Sequence, residues 1–198
     1  MLIKQGFVVA AIDAYFNGDR VFHGPRGKTE KDSYGQEMSL FKLHLWQGRT
    51  LWGMMVRDEQ CLLDYLETRP DIDHNRIGYY GFSWGGPLGA IFPAVENRLK
   101  VSVLPGAGFF LEKTLPEVDQ INFAPRVTIP VLMINGNSDR WHPVETSLDP
   151  MFKLLGTSKE NKRLAIYEGG HLIPRIYLIK ETLDWLDRYL GPVKRKEQ

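Results

Sequence analysis

At 198 residues the chain is long enough for one domain with a sizeable core, and 43% hydrophobic with 25% charged residues are the proportions of an ordinary globular protein, not a disordered or fibrous one. A net charge of +1 offers no long-range attraction to nucleic acid or to an anionic membrane surface, and no apolar run approaches the roughly 18 residues a bilayer span requires. Cys61, the one cysteine, cannot form an internal disulfide and reads as a small buried hydrophobe on a helix. The Lys194-Arg195-Lys196 run reads as a solvated tail, and without a visible signal peptide the expected location is cytoplasmic.

In chain order, Met1 to Gly6 read as the end of a helix, with Gly6 as its stop. Phe7-Val8-Val9-Ala10-Ala11-Ile12 is a continuous apolar run ending at Asp13, which predicts a strand buried on both faces. Residues 15 to 50 read as an irregular insert broken by Gly18, Gly24, Pro25, Gly27 and Gly35, a length that often marks a functional loop. Its Tyr15 and Phe16 are candidates for lining a substrate pocket, although aromatics in such a loop can equally serve to pack it down. From about Thr50 a helix begins, with Trp52, Met55, Val56, Leu62, Leu63 and Leu66 along one face and Glu59 interrupting it, until Pro70.

Arg76 to Gly86 then read as a buried strand, a sharp turn and a helix start, and Val101 to Leu104 as a further buried strand closed by Pro105-Gly106. Residues 107 to 129 read as loop with a weak helix. Val131 to Ile134 is a strand, about Thr146 to Leu155 a helix and Leu164 to Tyr167 the last strand. Ile179, Thr182, Leu183, Leu186 and Leu190 share the stripe of a closing helix that Gly191-Pro192 stops. Strands alternating with helices predict a mainly parallel α/β sheet, with residues 1–198 as one domain and no internal repeat.

The chemistry centres on Gly81-Phe82-Ser83-Trp84-Gly85, which fits the G-x-S-x-G nucleophile elbow. There a serine stands at a strained turn between strand and helix, and glycines flank it where a Cβ would clash. Serine is a weak nucleophile until a base removes its proton, and a carboxylate must hold that base in the right tautomer. Asp139 follows one predicted strand and His171 another, at the strand ends where open α/β sheets place ligands, and the order Ser83, Asp139, His171 suits an elbow enzyme. Asp13 precedes the elbow and reads as structural. His142 competes with His171 as base but lies in the same turn as Asp139, too close in sequence to reach both Asp139 and Ser83. His23, His44 and His74 lack metal-ligand spacing, so neither metal nor cofactor is implied.

The elbow, the Asn135-Gly136-Asn137-Ser138-Asp139 turn and the Gly169-Gly170-His171 turn resemble the α/β-hydrolase superfamily. Arg76-Ile77-Gly78, Gly48-Arg49-Thr50 and Pro143-Val144-Glu145-Thr146 are similar to its dienelactone hydrolase and acetyl-xylan-esterase-like branch. The resemblance implies an α/β-hydrolase fold and a carboxylesterase acting on small esters through an acyl-enzyme, with the backbone N–H of Trp84 in the oxyanion hole. Dienelactone hydrolases proper use a cysteine nucleophile, so a serine points to ester hydrolysis. A peptidase of prolyl-oligopeptidase type and a catalytically inactive scaffold are the alternatives.

The resemblance also implies an earlier strand, followed by a His-Gly-containing loop, that supplies a second oxyanion donor. No such segment stands ahead of Met1, so the sequence reads either as an N-terminally truncated piece of the fold or as a chain whose sheet a second copy completes as a homodimer. In either case Phe7–Ile12 is expected to be detached from the sheet or to pair with the elbow strand directly.

Overall fold

The computed structural model describes residues 2–15, 18–20, 42–112 and 114–193. Its contacts divide the chain into two compact units, residues 1–9 with 69–198 and residues 10–68.

The larger unit is built on a four-stranded parallel sheet, in sequence order β1 (Gly78–Tyr80), β2 (Val101–Pro105), β3 (Val131–Gly136) and β4 (Lys162–Tyr167). Gly78 pairs with Val101, Val103 with Leu132 and Ile134 with Ala165, which sets the register. Both central strands are buried along their whole length, as their unbroken apolar runs require of a sheet covered on both faces. Alternation along the strands sorts the side chains into two cores. Leu104, Val131 and Met133 pack on one face with Ala90, Leu148 and Met151. Val101, Val103, Leu132 and Ile134 pack on the other with Trp185, Leu186 and Leu190. Full burial of each such side chain contributes roughly 1.5–3 kcal/mol, so two cores outweigh the modest local propensity of short strands.

The first face is covered by the helix after the elbow (Gly85–Val95) and by a short helix (Asp149–Leu154) entered through a π-turn at Val144–Leu148. Pro93 lies inside the former, which ends at Val95; lacking an N–H, it leaves out the helical bond to the Gly89 carbonyl. Lys162 Nζ donates to the carbonyls of Phe152 and Leu155 at 3.0 and 2.7 Å, placing a cation on the C-terminal end of the short helix. The closing helix, Arg175–Leu190, covers the second face and stops at Gly191, whose φ of +77° favours glycine. Arg76 ties the elbow strand to that stop by donating to the carbonyls of Gly191 and Pro192. The loop between β2 and β3 holds three one-turn 3₁₀ helices between Pro116 and Arg126.

Two expectations are corrected. Phe7–Ile12 forms no strand; residues 7–14 are irregular and Val8 is 66% exposed. A strand exists only by pairing, and within the described sheet the elbow strand β1 pairs with β2 alone. Phe7 instead packs onto the second core. Cys61 is exposed, not buried.

In the smaller unit a helix spans Leu51–Glu67, capped by the Thr50 side chain, which accepts a hydrogen bond from the Gly53 N–H at 3.1 Å. Of its predicted apolar stripe Leu63 is fully buried. Burial, followed by the neighbouring Asp58 charge, pushes the Glu59 carboxyl up. Asp13 has the structural role expected, accepting from the Asp19 N–H at 2.9 Å.

Candidate active site

Ser83 has φ +52°, and among the described residues it is the one non-glycine residue in the left-handed region. The conformation is over-determined by its surroundings. Gly81 N–H donates to Val103 O, Ser83 N–H to Pro105 O and Gly86 N–H to Ser83 O, locking the turn between β2 and the following helix. A Cβ on Gly81 would lie 2.2 Å from the Gly85 carbonyl oxygen, so glycine is obligatory there. Gly85 is less constrained than expected, since a Cβ there would meet only the Tyr79 hydroxyl, at 3.3 Å.

The strand-end turns carrying Asp139 and His171 are stitched together. Asn137 N–H donates to Tyr167 O, Ser138 N–H to Gly169 O and Gly169 N–H to the Asn137 side chain. His171 therefore stands with Nδ1 2.8 Å from Asp139 Oδ2 and Nε2 2.6 Å from Ser83 Oγ. An ionised carboxylate only accepts, so Nδ1 carries the proton and Nε2 is left as acceptor for the serine hydroxyl. Burial alone would push the Asp139 carboxyl up. The hydrogen bond from His171 and those from the N–H groups of Trp141 and His142 outweigh it and hold the group below the usual carboxylate range. The structure thus brings together Ser83, Asp139 and His171, three of the residues singled out in the sequence.

His142 is placed otherwise. It is 3% exposed, and Ser147 Oγ, which donates to Phe109 O at 2.7 Å, accepts from its Nδ1–H at 3.1 Å. Burial holds this imidazole below the usual histidine range despite the Asp139 charge beside it. Trp84 caps the helix that starts at Gly85, so its backbone N–H belongs to the helix N-terminus beside Ser83. Tyr15 lies in the smaller unit with the Arg20 guanidinium 3.8 Å above its ring, and Phe16 lies outside the described residues. The sequence reading missed Phe110, whose ring stands between those of Trp84 and His142. The one local cue, its place beyond the C-terminal end of β2, does not single it out from its neighbours in the same loop. Among the described residues no group of three or more His, Cys, Asp or Glu is arranged to hold a metal, and no helix is long and apolar enough to cross a membrane.

The sequence profile of the dienelactone hydrolase family matches residues 1–171. The chain belongs to the dienelactone hydrolase family. Its α/β-hydrolase fold follows from that membership, and esterases are among its structural neighbours. This family member is 38% identical over 102 residues to YtaP of Bacillus subtilis, covering 52% of this chain and 30% of that protein. It is 28% identical over 205 residues to the bis(hydroxyethyl) terephthalate hydrolase of Streptomyces coelicolor, covering 100% of this chain and 53% of that enzyme. The chain thus spans about half, or less, of the length of these curated relatives. Among solved structures, a cold-adapted esterase from an Arctic intertidal metagenomic library superimposes with a TM-score of 0.57 at 29% identity over 67% of this chain and 57% of that one. The acetyl xylan esterase of Paenibacillus sp. R4 superimposes at 0.61 over 71% and 54%, and at 19% identity it speaks for the fold alone.

Proposed function

We propose that this dienelactone hydrolase family member is a serine carboxylesterase that cleaves small carboxylic esters through an acyl-enzyme. The observation that carries the reading is the unbroken chain of hydrogen bonds from Ser83 Oγ through His171 to Asp139. Ser83 Oγ attacks the ester carbonyl carbon as His171 Nε2 takes its proton, and Asp139 stabilises the resulting imidazolium. The negative charge on the former carbonyl oxygen rests on the Trp84 N–H and on a second donor outside the assigned residues. Collapse breaks the ester C–O bond, and His171 returns the proton to the departing alcohol. Water, deprotonated by His171, then attacks the acyl-serine, and as the acyl–Oγ bond breaks His171 returns that proton to Ser83 Oγ and the acid is released. The names of the Streptomyces hydrolase and the Arctic esterase, both enzymes of ester cleavage, support this class.

A fluorophosphonate probe tests the reading. We expect stoichiometric labelling at Ser83 that is lost in Ser83→Ala, with hydrolysis of short p-nitrophenyl esters and none of a prolyl peptide amide. A folded sample that takes no label would indicate an inactive scaffold, and faster turnover of the amide a peptidase.

A further inference from the structure

Five aromatic rings beside Ser83 follow one another in contact as an open circuit. Trp84, the residue after Ser83, lies 5.3 Å from Phe110 between ring centroids, and Phe110 lies 6.0 Å from His142. His142 lies 6.0 Å from His171, and His171 lies 5.6 Å from Phe82, the residue before Ser83. The circuit thus begins and ends at the two chain neighbours of the nucleophile. Its two ends are open to the outside, Phe82 at 38% and Trp84 at 47% exposed, while His142 is sealed behind them.

We propose that this circuit is a subsite for an aryl group of the ester, with Phe110 and Trp84 as the residues that set a preference for aromatic over saturated rings. The inference rests on Ser83 being the nucleophile. A reacting carbonyl carbon must come to about 3–3.5 Å from Oγ, which leaves a ring attached on either side of the ester within reach of these side chains. Aromatic pairs favour centroid separations of about 4.5–7 Å in tilted or offset arrangements, the spacing already used between neighbours in the circuit. Phe110 is held for the task. Its N–H donates to the buried Gln120 side chain at 3.0 Å, and the residue before it is bonded to Ser147 through both its N–H and its carbonyl.

The chemistry of the rings argues against other occupants. A quaternary ammonium group would suit an aromatic cage, but His171 becomes a cation in each half-reaction and would repel it. A sugar would need several fixed donors and acceptors, whereas Phe82 and Phe110 offer none from their rings and both ring nitrogens of His171 are spent on Asp139 and Ser83.

The test compares kcat/KM for benzyl acetate and cyclohexylmethyl acetate, which differ in aromaticity at nearly equal size. Methyl benzoate and methyl cyclohexanecarboxylate form the matching pair for the acyl side. We expect the aromatic member of one pair to be favoured about three- to tenfold, and that ratio to fall towards one in Phe110→Leu, which keeps an apolar side chain without a ring. An unchanged ratio in a folded Phe110→Leu that still takes the fluorophosphonate label overturns the subsite and leaves the esterase standing. A wild-type ratio of one in both pairs does the same without any variant. Preference for choline acetate over its neutral analogue 3,3-dimethylbutyl acetate would assign the circuit to a cation and overturn the aryl reading. Loss of Ser83 labelling in the wild type would remove the nucleophile and the subsite with it.

Discussion

Among single residues the most informative is Asp139, because the part proposed for it is played entirely through another side chain. Its Oδ2 accepts from His171 Nδ1–H while Oδ1 accepts from the backbone of Trp141 and His142, so the carboxylate cannot rotate without losing a partner. Asp139→Asn would place an N–H₂ against His171, favour the tautomer with its proton on Nε2, and present a donor to the Ser83 hydroxyl. We expect kcat on a short ester to fall about 10⁴-fold while the fold is kept. A fall of less than tenfold in steady-state kinetics would show that Asp139 does not orient the base. The positions of Asp139 and His171 were legible in the sequence because each lies in the turn after an apolar run. Phe110 was not, because its significance lies in which rings it stands between, and those come from segments distant in the chain.

Among elements, the strand–turn–helix around Ser83 is the one whose local sequence and tertiary setting agree most closely. The positive φ of Ser83 is tolerated because β2 and the following helix hold the turn on both sides. The two glycines of the motif are unequal. Gly81→Ala drives a Cβ into the Gly85 carbonyl at 2.2 Å, a backbone group that cannot swing aside, and we expect it to lose about 3 kcal/mol or more in urea denaturation. Gly85→Ala meets a hydroxyl at 3.3 Å in the first turn of a helix, where alanine is the better helix former, and should cost less than about 1 kcal/mol. Equal losses would mean that the turn relaxes as a unit. The run Phe7–Ile12 shows the opposite case. Its composition is that of a buried strand, yet strand formation needs a hydrogen-bonding neighbour, and composition does not say whether one is present.

For the molecule as a whole, His142 and Asp139 lower stability on acidification, while the raised Glu59 carboxyl acts in the opposite sense. The folded state holds the His142 imidazole below its ordinary range by burial, with Asp139, His171 and Glu112 as the charged groups around it. An unfolded histidine takes up its proton near pH 6.5, so the unfolded chain binds more protons, and stability falls as pH drops through that value. The depressed Asp139 carboxyl adds a second loss, beginning only below about pH 4, where an unfolded carboxyl becomes protonated and the folded one resists. In thermal melts, His142→Gln should flatten the decline between about pH 7 and 5 and leave the acid limb in place. An unaltered profile would mean that His142 is protonated within the fold. The sequence by itself determined the order of the parallel α/β elements of the larger unit, the strand–turn–helix at Ser83 and the two strand-end turns that carry Asp139 and His171, because periodicity, glycine placement and strand-end position are local properties of the chain. Only the tertiary structure decided that His142 is buried against Ser147, that Phe7–Ile12 is no strand, and that five rings lie in successive contact beside Ser83. Each of these depends on which distant segments meet, and the packing of two cores against one sheet settles that beyond the reach of any local pattern.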